Sequence, residues 1–228
     1  MMLRLLPLLT GLLPLVAMFG ALWIGIAHEV LPSCVPFIDG CVSISATGRK
    51  PPGSFLFRAI MLPQAALLAL VWYYHVLWLR SLNPHLRRST SAAILTSGLI
   101  GALALVVYVT YLGTQEPLYE FMRRSGIYFG FLGLALAQMT AAVSLYRFSG
   151  ISRRWRLRPL ASTMLGICVA TFGLGILTTI LKAIYENDAV IENSIEWTVS
   201  VLMQCYFLVM FLAWRRTGFA ASVNTTPG

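Results

Sequence analysis

The side chains best placed for acid, base or nucleophile work in this sequence are His28, Glu29 and Asp39, followed closely by Ser43 and Ser45. A histidine and two carboxylates on one short segment supply a proton acceptor and its orienting partner, and a nearby serine hydroxyl would be the nucleophile of an acyl transfer. The competing reading is blander. A serine, a histidine and an acid on one polar loop are commonplace, and His28 with Glu29 then only pins the solvated end of a helix. The sequence has no glycine loop for phosphate, no zinc-finger spacing and no GxSxG elbow, and neither a cofactor nor a metal is expected.

The elements that must hold these residues are strongly apolar. Of 228 residues, 58% are hydrophobic and 11% charged, with a mean hydropathy of +0.77, whereas soluble domains carry about 25% charged residues. Continuous apolar runs cover 5–27, 59–79, 92–113, 126–146, 160–181 and 195–214. A helix crosses a hydrocarbon core of about 30 Å with about 20 residues, so each run is read as one span. Barrel strands would alternate every second residue over about 10 positions, and these runs do not. The expected fold is an all-α integral membrane protein, a six-transmembrane antiparallel helix bundle with a structured first outer loop, forming a single domain over 1–228 that ends in a flexible tail at 217–228. The first run follows a short basic start as a secretory leader would, yet it exceeds the 7–15 residues of a leader core. It is read as a retained helix in which Pro14 frees a carbonyl for some neighbour to satisfy.

Of the eight carboxylates, Glu29, Asp39, Glu116, Glu120, Glu186, Asp188 and Glu192 fall in three of the seven segments around these runs, and Glu196 stands at the start of the last run beside the third of them. With a cytoplasmic amino terminus, the inner segments hold Arg4, Arg80, Arg87, Arg88, Arg147, Arg153, Arg154, Arg156, Arg158, Arg215 and Arg216 and no anion. That asymmetry places both termini in the cytoplasm. The net charge of +9 is then mostly an inner-face property with some attraction to anionic head groups. Nucleic acid is not an expected partner, because the basic 153–158 cluster sits on a short loop with little room for a duplex. Of the three histidines, His28 falls at the outer boundary and His75 and His85 near or beyond the inner one, too far apart to share a metal.

The longest connection, 28–58, carries prolines at 32, 36, 51 and 52 and glycines at 40, 48 and 53. Such density of turn formers predicts a compact cap over the outer end of the bundle. Cys34 and Cys41 lie in it, on the oxidising side, either as a disulfide or as two free thiols. Cys168 and Cys205 fall inside spans and act as small hydrophobes. Polar residues at membrane depth face the bundle interior or a cavity. Gln64, Gln138 and Gln204 are read as helix-to-helix hydrogen bonders, and Lys182 and Glu196, on consecutive helices near the outer surface, as an ion pair or as a charged pocket for a lipid head group. Small residues at Gly126, Gly130, Gly133, Ala137 and Ala141, and at Gly166, Ala170, Gly173 and Gly175, permit close helix packing within the chain, with a homo-oligomer as the alternative. Trp72, Tyr73, Tyr74, Trp78 and Trp214 read as an interfacial aromatic belt.

The first outer loop also resembles that of a known family. His28 at the end of the first span, then Pro36, Phe37 and Ile38, then Ser45 and Gly48, then Pro51-Pro52 before the second span look like the signature loop of the Frag1/DRAM/Sfk1 family, which includes the amino-terminal domain of a fungal GPI-lipid ceramide-remodelling protein. Glu196-Trp197 opening the last span is a second point of likeness. The family includes a lipid-remodelling protein of GPI anchors, lysosomal autophagy modulators and a plasma-membrane lipid-homeostasis factor. The resemblance implies a multi-pass protein concerned with membrane lipid, here a bacterial member of an inner membrane.

The expected function is binding or organising membrane lipid without catalysis, with His28, Lys182, Glu196 and Trp197 as lipid-binding candidates; protein partners are not specified. The alternative is a lipid-modifying enzyme acting on acyl chains or glycolipid, with His28, Glu29 and Asp39 as acid and base.

Overall fold

The computed structural model describes residues 2–151, 156–184 and 189–219; Arg153, Arg154, Glu186, Asp188 and the tail from 220 to 228 lie outside the described residues. Among the described residues eight α-helices form, in chain order: α1 Leu6–Ala27, α2 Pro36–Asp39, α3 Ile44–Thr47, α4 Gly53–Leu82, α5 Arg88–Thr110, α6 Pro117–Ile151, α7 Arg158–Ile184 and α8 Ala189–Thr217, with a 3₁₀ turn at Met2–Leu5 before α1. Among the described residues, six of these helices are long and apolar enough to cross a membrane. They begin earlier than the apolar runs predict: α4 starts at Gly53 and α6 at Pro117, because hydropathy marks the hydrocarbon zone whereas backbone hydrogen bonding carries a helix on into the head-group region.

The spans close into a ring. Each helix packs on its successor, α1 on α4, then α5, α6, α7 and α8, and α8 returns to α1. The 28–52 segment, with α2 and α3, covers one end of this ring, here termed the cap end. Large side chains such as Trp23, Phe55, Leu103, Tyr128 and Ile176 point outward from the ring, as a lipid solvent permits.

Polar side chains repair the backbone inside the ring. Pro14 has no N–H for the carbonyl of Thr10, and Gln64 of α4 donates to that carbonyl through Nε2 at 2.8 Å. Gln138 of α6 likewise donates to the carbonyl of Met203 on α8 at 3.0 Å, while the Tyr206 hydroxyl donates to the carbonyl of Gln138 at 3.0 Å. Both glutamines thus bond helix to helix as expected. Replacing Gln64 with leucine should leave the buried Thr10 carbonyl unpaired and cost about 1–3 kcal/mol. Thermal unfolding in mild detergent checks this, and an unchanged midpoint would show that α1 does not need the repair.

Two sequence expectations are corrected here. Trp72, Trp78 and Trp214 are fully buried around His75 rather than ranged in an interfacial belt; Tyr73 alone of that group is half exposed. Trp214 Nε1 donates to Nδ1 of His75 at 3.4 Å, and Trp78 Nε1 donates to the Thr217 hydroxyl at 2.9 Å. Positions 72, 75, 76 and 79 share one helix face, and in a run apolar all round only packing says which face turns inward. Secondly, an added Cβ at Gly166, Gly173 or Gly175 meets nothing within 4 Å, so these three glycines of α7 serve no close packing within the chain, unlike Gly126 and Gly133 of α6. Beyond α8, Arg4 donates to the carbonyls of Gly218 and Phe219, each at 2.9 Å.

Candidate functional site

The cap is built from its own turn chemistry. Val35-Pro36 opens α2, Asp39 accepts the N–H of Val35 at 2.8 Å, and Gly40 ends the turn at φ 53°, a left-handed conformation that glycine adopts without strain. Cys34 and Cys41 are bonded to one another across this turn. Ser43 then caps α3, accepting from the N–H of Ala46 at 3.2 Å.

One face of α8 receives the cap. Residues 193, 194 and 197 lie on it at helical spacing, and each reaches a cap carbonyl: Asn193 Nδ2 to Gly40 at 2.7 Å, the Ser194 hydroxyl to Pro36 at 3.3 Å and Trp197 Nε1 to Val42 at 2.9 Å. A Cβ on Gly40 would stand 2.0 Å from the carbonyl oxygen of Val190, so glycine is required there for the approach as well as for the turn. Trp197 is fully buried, its ring 5.4 Å from Phe19 and 5.8 Å from Phe37. The tryptophan next to Glu196 is therefore the clasp between cap and bundle.

Glu196 itself sits one residue earlier and faces inward. The backbone N–H groups of Ile44 and Ser45, at the start of α3, lie near its carboxylate and favour its charged form. Arg49 lies close enough to act on it electrostatically, as do Arg123 of α6 and Tyr108 of α5 on Arg49. Burial, followed by the Arg123 guanidinium beside it, holds the Arg49 guanidinium below its ordinary range, and Glu196 and Glu120 act in the opposite direction. Arg49 is anchored by donating to the Ser45 hydroxyl at 2.9 Å, and Ser45 shares a 3.2 Å bond with Ser43. Among the described residues neither serine hydroxyl is bonded to a histidine, and their hydrogen bonds serve the cap.

A cavity descends from this cluster into the bundle. It holds about 790 Å³ of atom-free space including its mouth, and runs from Glu196, Tyr108 and Ile44 under the cap, past Met61 and Gln64, to Leu68 and Phe207. Glu196, Ser200, Gln204 and Phe207 are successive turns of α8, which at 1.5 Å per residue makes the cavity about 16 Å deep. The walls are apolar apart from the head cluster, Ser200 and the two glutamines.

The remaining candidates lie elsewhere. His28 is the exposed residue closing α1, Glu29 follows it exposed at φ 58°, and Asp39 is exposed on the cap. Lys182 of α7 bonds Glu192 at 2.7 Å rather than the expected Glu196, both partners being partly exposed. The register explains it: Glu192 lies one turn nearer the start of α8, while Glu196 is turned under the cap. Among the described residues no group of three or more His, Cys, Asp or Glu side chains converges as metal ligands do. Sequence reasoning missed Arg49, Arg123 and Tyr108. The two arginines were legible only as cations against the topological trend, on the outer side of a chain whose basic residues otherwise gather inside.

Neither a curated protein nor a solved structure matches the chain. A family model does, that of the Frag1/DRAM/Sfk1/Cwh43P N-terminal domain, over residues 2–216. Its expected loop signature corresponds to the cap: Pro36 accepts from Ser194 through its carbonyl, Phe37 packs on Trp197, Ser45 anchors Arg49, and Gly48 abuts Phe57. With its match covering nearly the whole sequence, this six-span membrane protein belongs to the Frag1/DRAM/Sfk1/Cwh43P N-terminal domain family.

Proposed function

We propose that this protein binds membrane lipid without transforming it, at the cap end of the bundle, in a plasma membrane with both termini cytoplasmic and the cap outside. The observation that carries this reading is the cavity beneath Glu196: a charged cluster at head-group level opens onto an apolar shaft that reaches the middle of the bundle. A lipid has that distribution of polarity, and pockets of this kind bury most of a ligand's surface while a few polar groups fix its orientation. The arginine asymmetry of the sequence supports the orientation.

The test is mass spectrometry of the lipids that survive gentle purification of wild type, Glu196→Gln and His28→Ala. One lipid class should co-purify with wild type and with His28→Ala and fall at least about tenfold in Glu196→Gln, a change of about 1.4 kcal/mol or more. Incubation of the purified protein with that lipid should return it chemically unchanged. Bulk lipid alone, equal in all three proteins, would sink the proposal.

A further inference from the structure

The cavity has a missing wall. Residues of α1, α4, α5, α6 and α8 line it, with Ile44 of α3 at the top, and none of α7 does. Yet α7 stands between α6 and α8 in the ring. The burial of α7 explains this: Ala161, Met164, Cys168 and Thr171 are its buried residues, all in the half away from the cap, whereas 172–184 are partly or largely exposed. Toward the cap end α7 keeps to α8 through the Lys182–Glu192 pair and contributes no side chain to the cavity at the depth where Gly126, Ile127, Gly130 and Glu196 line it.

The cap end of the bundle also holds buried guanidinium donors that lack acceptors. The Arg123 side chain is 12% exposed; its Nη2 makes a long 3.5 Å contact with Glu120, and its Nε is buried without a hydrogen-bond partner. Arg58, whose Nη2 donates to the carbonyl of Leu112, has the same vacancy at Nε. Arg123 lies one helical turn above Gly126, on the face that lines the cavity. Of the carboxylates at this end, Glu120 is held by Arg124 at 2.5 Å and reached by Arg123 Nη2 only at 3.5 Å, and Glu196 lies near the α3 amides and acts on Arg49 electrostatically. An unpaired buried donor costs about 1–3 kcal/mol unless something accepts from it, and guanidinium N–H groups suit phosphate and carboxylate oxygens.

We infer that one hydrocarbon chain of an acidic lipid enters sideways from the membrane between α6 and α8 and fills the shaft, while its anionic head group accepts from Arg123 beside Arg49. This rests on the lipid-binding reading and adds the direction of access, the number of chains held and the sign of the head group. Gly130 governs occupancy. A Cβ there meets only Ala104 Cβ at 3.9 Å, so a larger side chain grows into the shaft without pushing helices apart.

The experiment reconstitutes wild type, Gly130→Phe, Arg123→Gln and Glu196→Gln in mixed micelles containing phosphatidylglycerol or phosphatidylcholine of identical chains, and counts tightly bound lipid per protein by native mass spectrometry. Wild type should retain about one phosphatidylglycerol and at least tenfold less phosphatidylcholine, Gly130→Phe neither, and Arg123→Gln should lose the preference between them. Thermal unfolding verifies that Gly130→Phe is folded, and Gly130→Leu replaces it otherwise. If lipid is lost in Glu196→Gln but persists at the wild-type level in folded Gly130→Phe, or if both lipids bind alike to wild type, this inference is overturned and lipid binding at the cap stands. If wild type retains neither lipid, both fall together.

Discussion

Trp197→Ala is expected to lower the stability of the protein by about 3–5 kcal/mol, and to do so by releasing the cap. The side chain is fully buried between Phe19 and Phe37, and truncating a buried tryptophan removes its transfer free energy and leaves a cavity. The carbonyl of Val42 also loses its donor, which adds to the cost where water does not reach. For a chain of this length such a loss corresponds to a fall of roughly 10 °C in the unfolding midpoint. Limited proteolysis distinguishes cap release from general loosening: new cleavage should appear within 35–50 well before the spans unfold. Trp197→Phe keeps most of the bulk and should recover more than half of the loss. A Trp197→Ala protein as resistant to protease as wild type would show that the disulfide and the α3 contacts hold the cap without its clasp.

Gly133→Leu should be about as damaging, and the same change at Gly166 should be harmless. In α6 a Cβ at Gly133 would lie 2.7 Å from the carbonyl oxygen of Ser97 and 2.9 Å from the N of Gly101. These are backbone atoms of α5, so relief requires the two helices to move apart along a well-packed seam, at about 3 kcal/mol. In α7 nothing stands within 4 Å of Gly166, and leucine there only replaces the poorest helix former but proline with a good one, for a gain of up to about 1 kcal/mol. Unfolding of the two variants in the same detergent gives the comparison. Equal effects would mean that α5 and α6 are less closely packed than their glycines require.

Read as a string, the two glycine series look alike, and this marks where the sequence ceases to inform. In water the buried face of a helix announces itself by apolar residues at a 3.6-residue period; in lipid the outward face is apolar too, so the period vanishes. Trp72, Trp78 and Trp214 were misplaced for that reason, and the exposure of Gly166, Gly173 and Gly175 was invisible. Lys182 was assigned the wrong carboxylate because Glu192 and Glu196 differ by one turn of α8, and only the docking of the cap settles which of them turns inward.

What the sequence determined by itself is the membrane as solvent, six helices, a folded first loop and the family, because burial in hydrocarbon forces long apolar runs and turn residues mark the places where a chain must bend. The glutamines too could be read as helix-to-helix donors, since an unpaired amide at membrane depth is costly. Tertiary structure alone decided that Trp197 clasps the cap, that Glu196 lies near the start of α3 and that α7 contributes no side chain to the shaft. Each of these depends on which atoms of distant segments approach one another, and neither composition nor period records that in a chain apolar on every side.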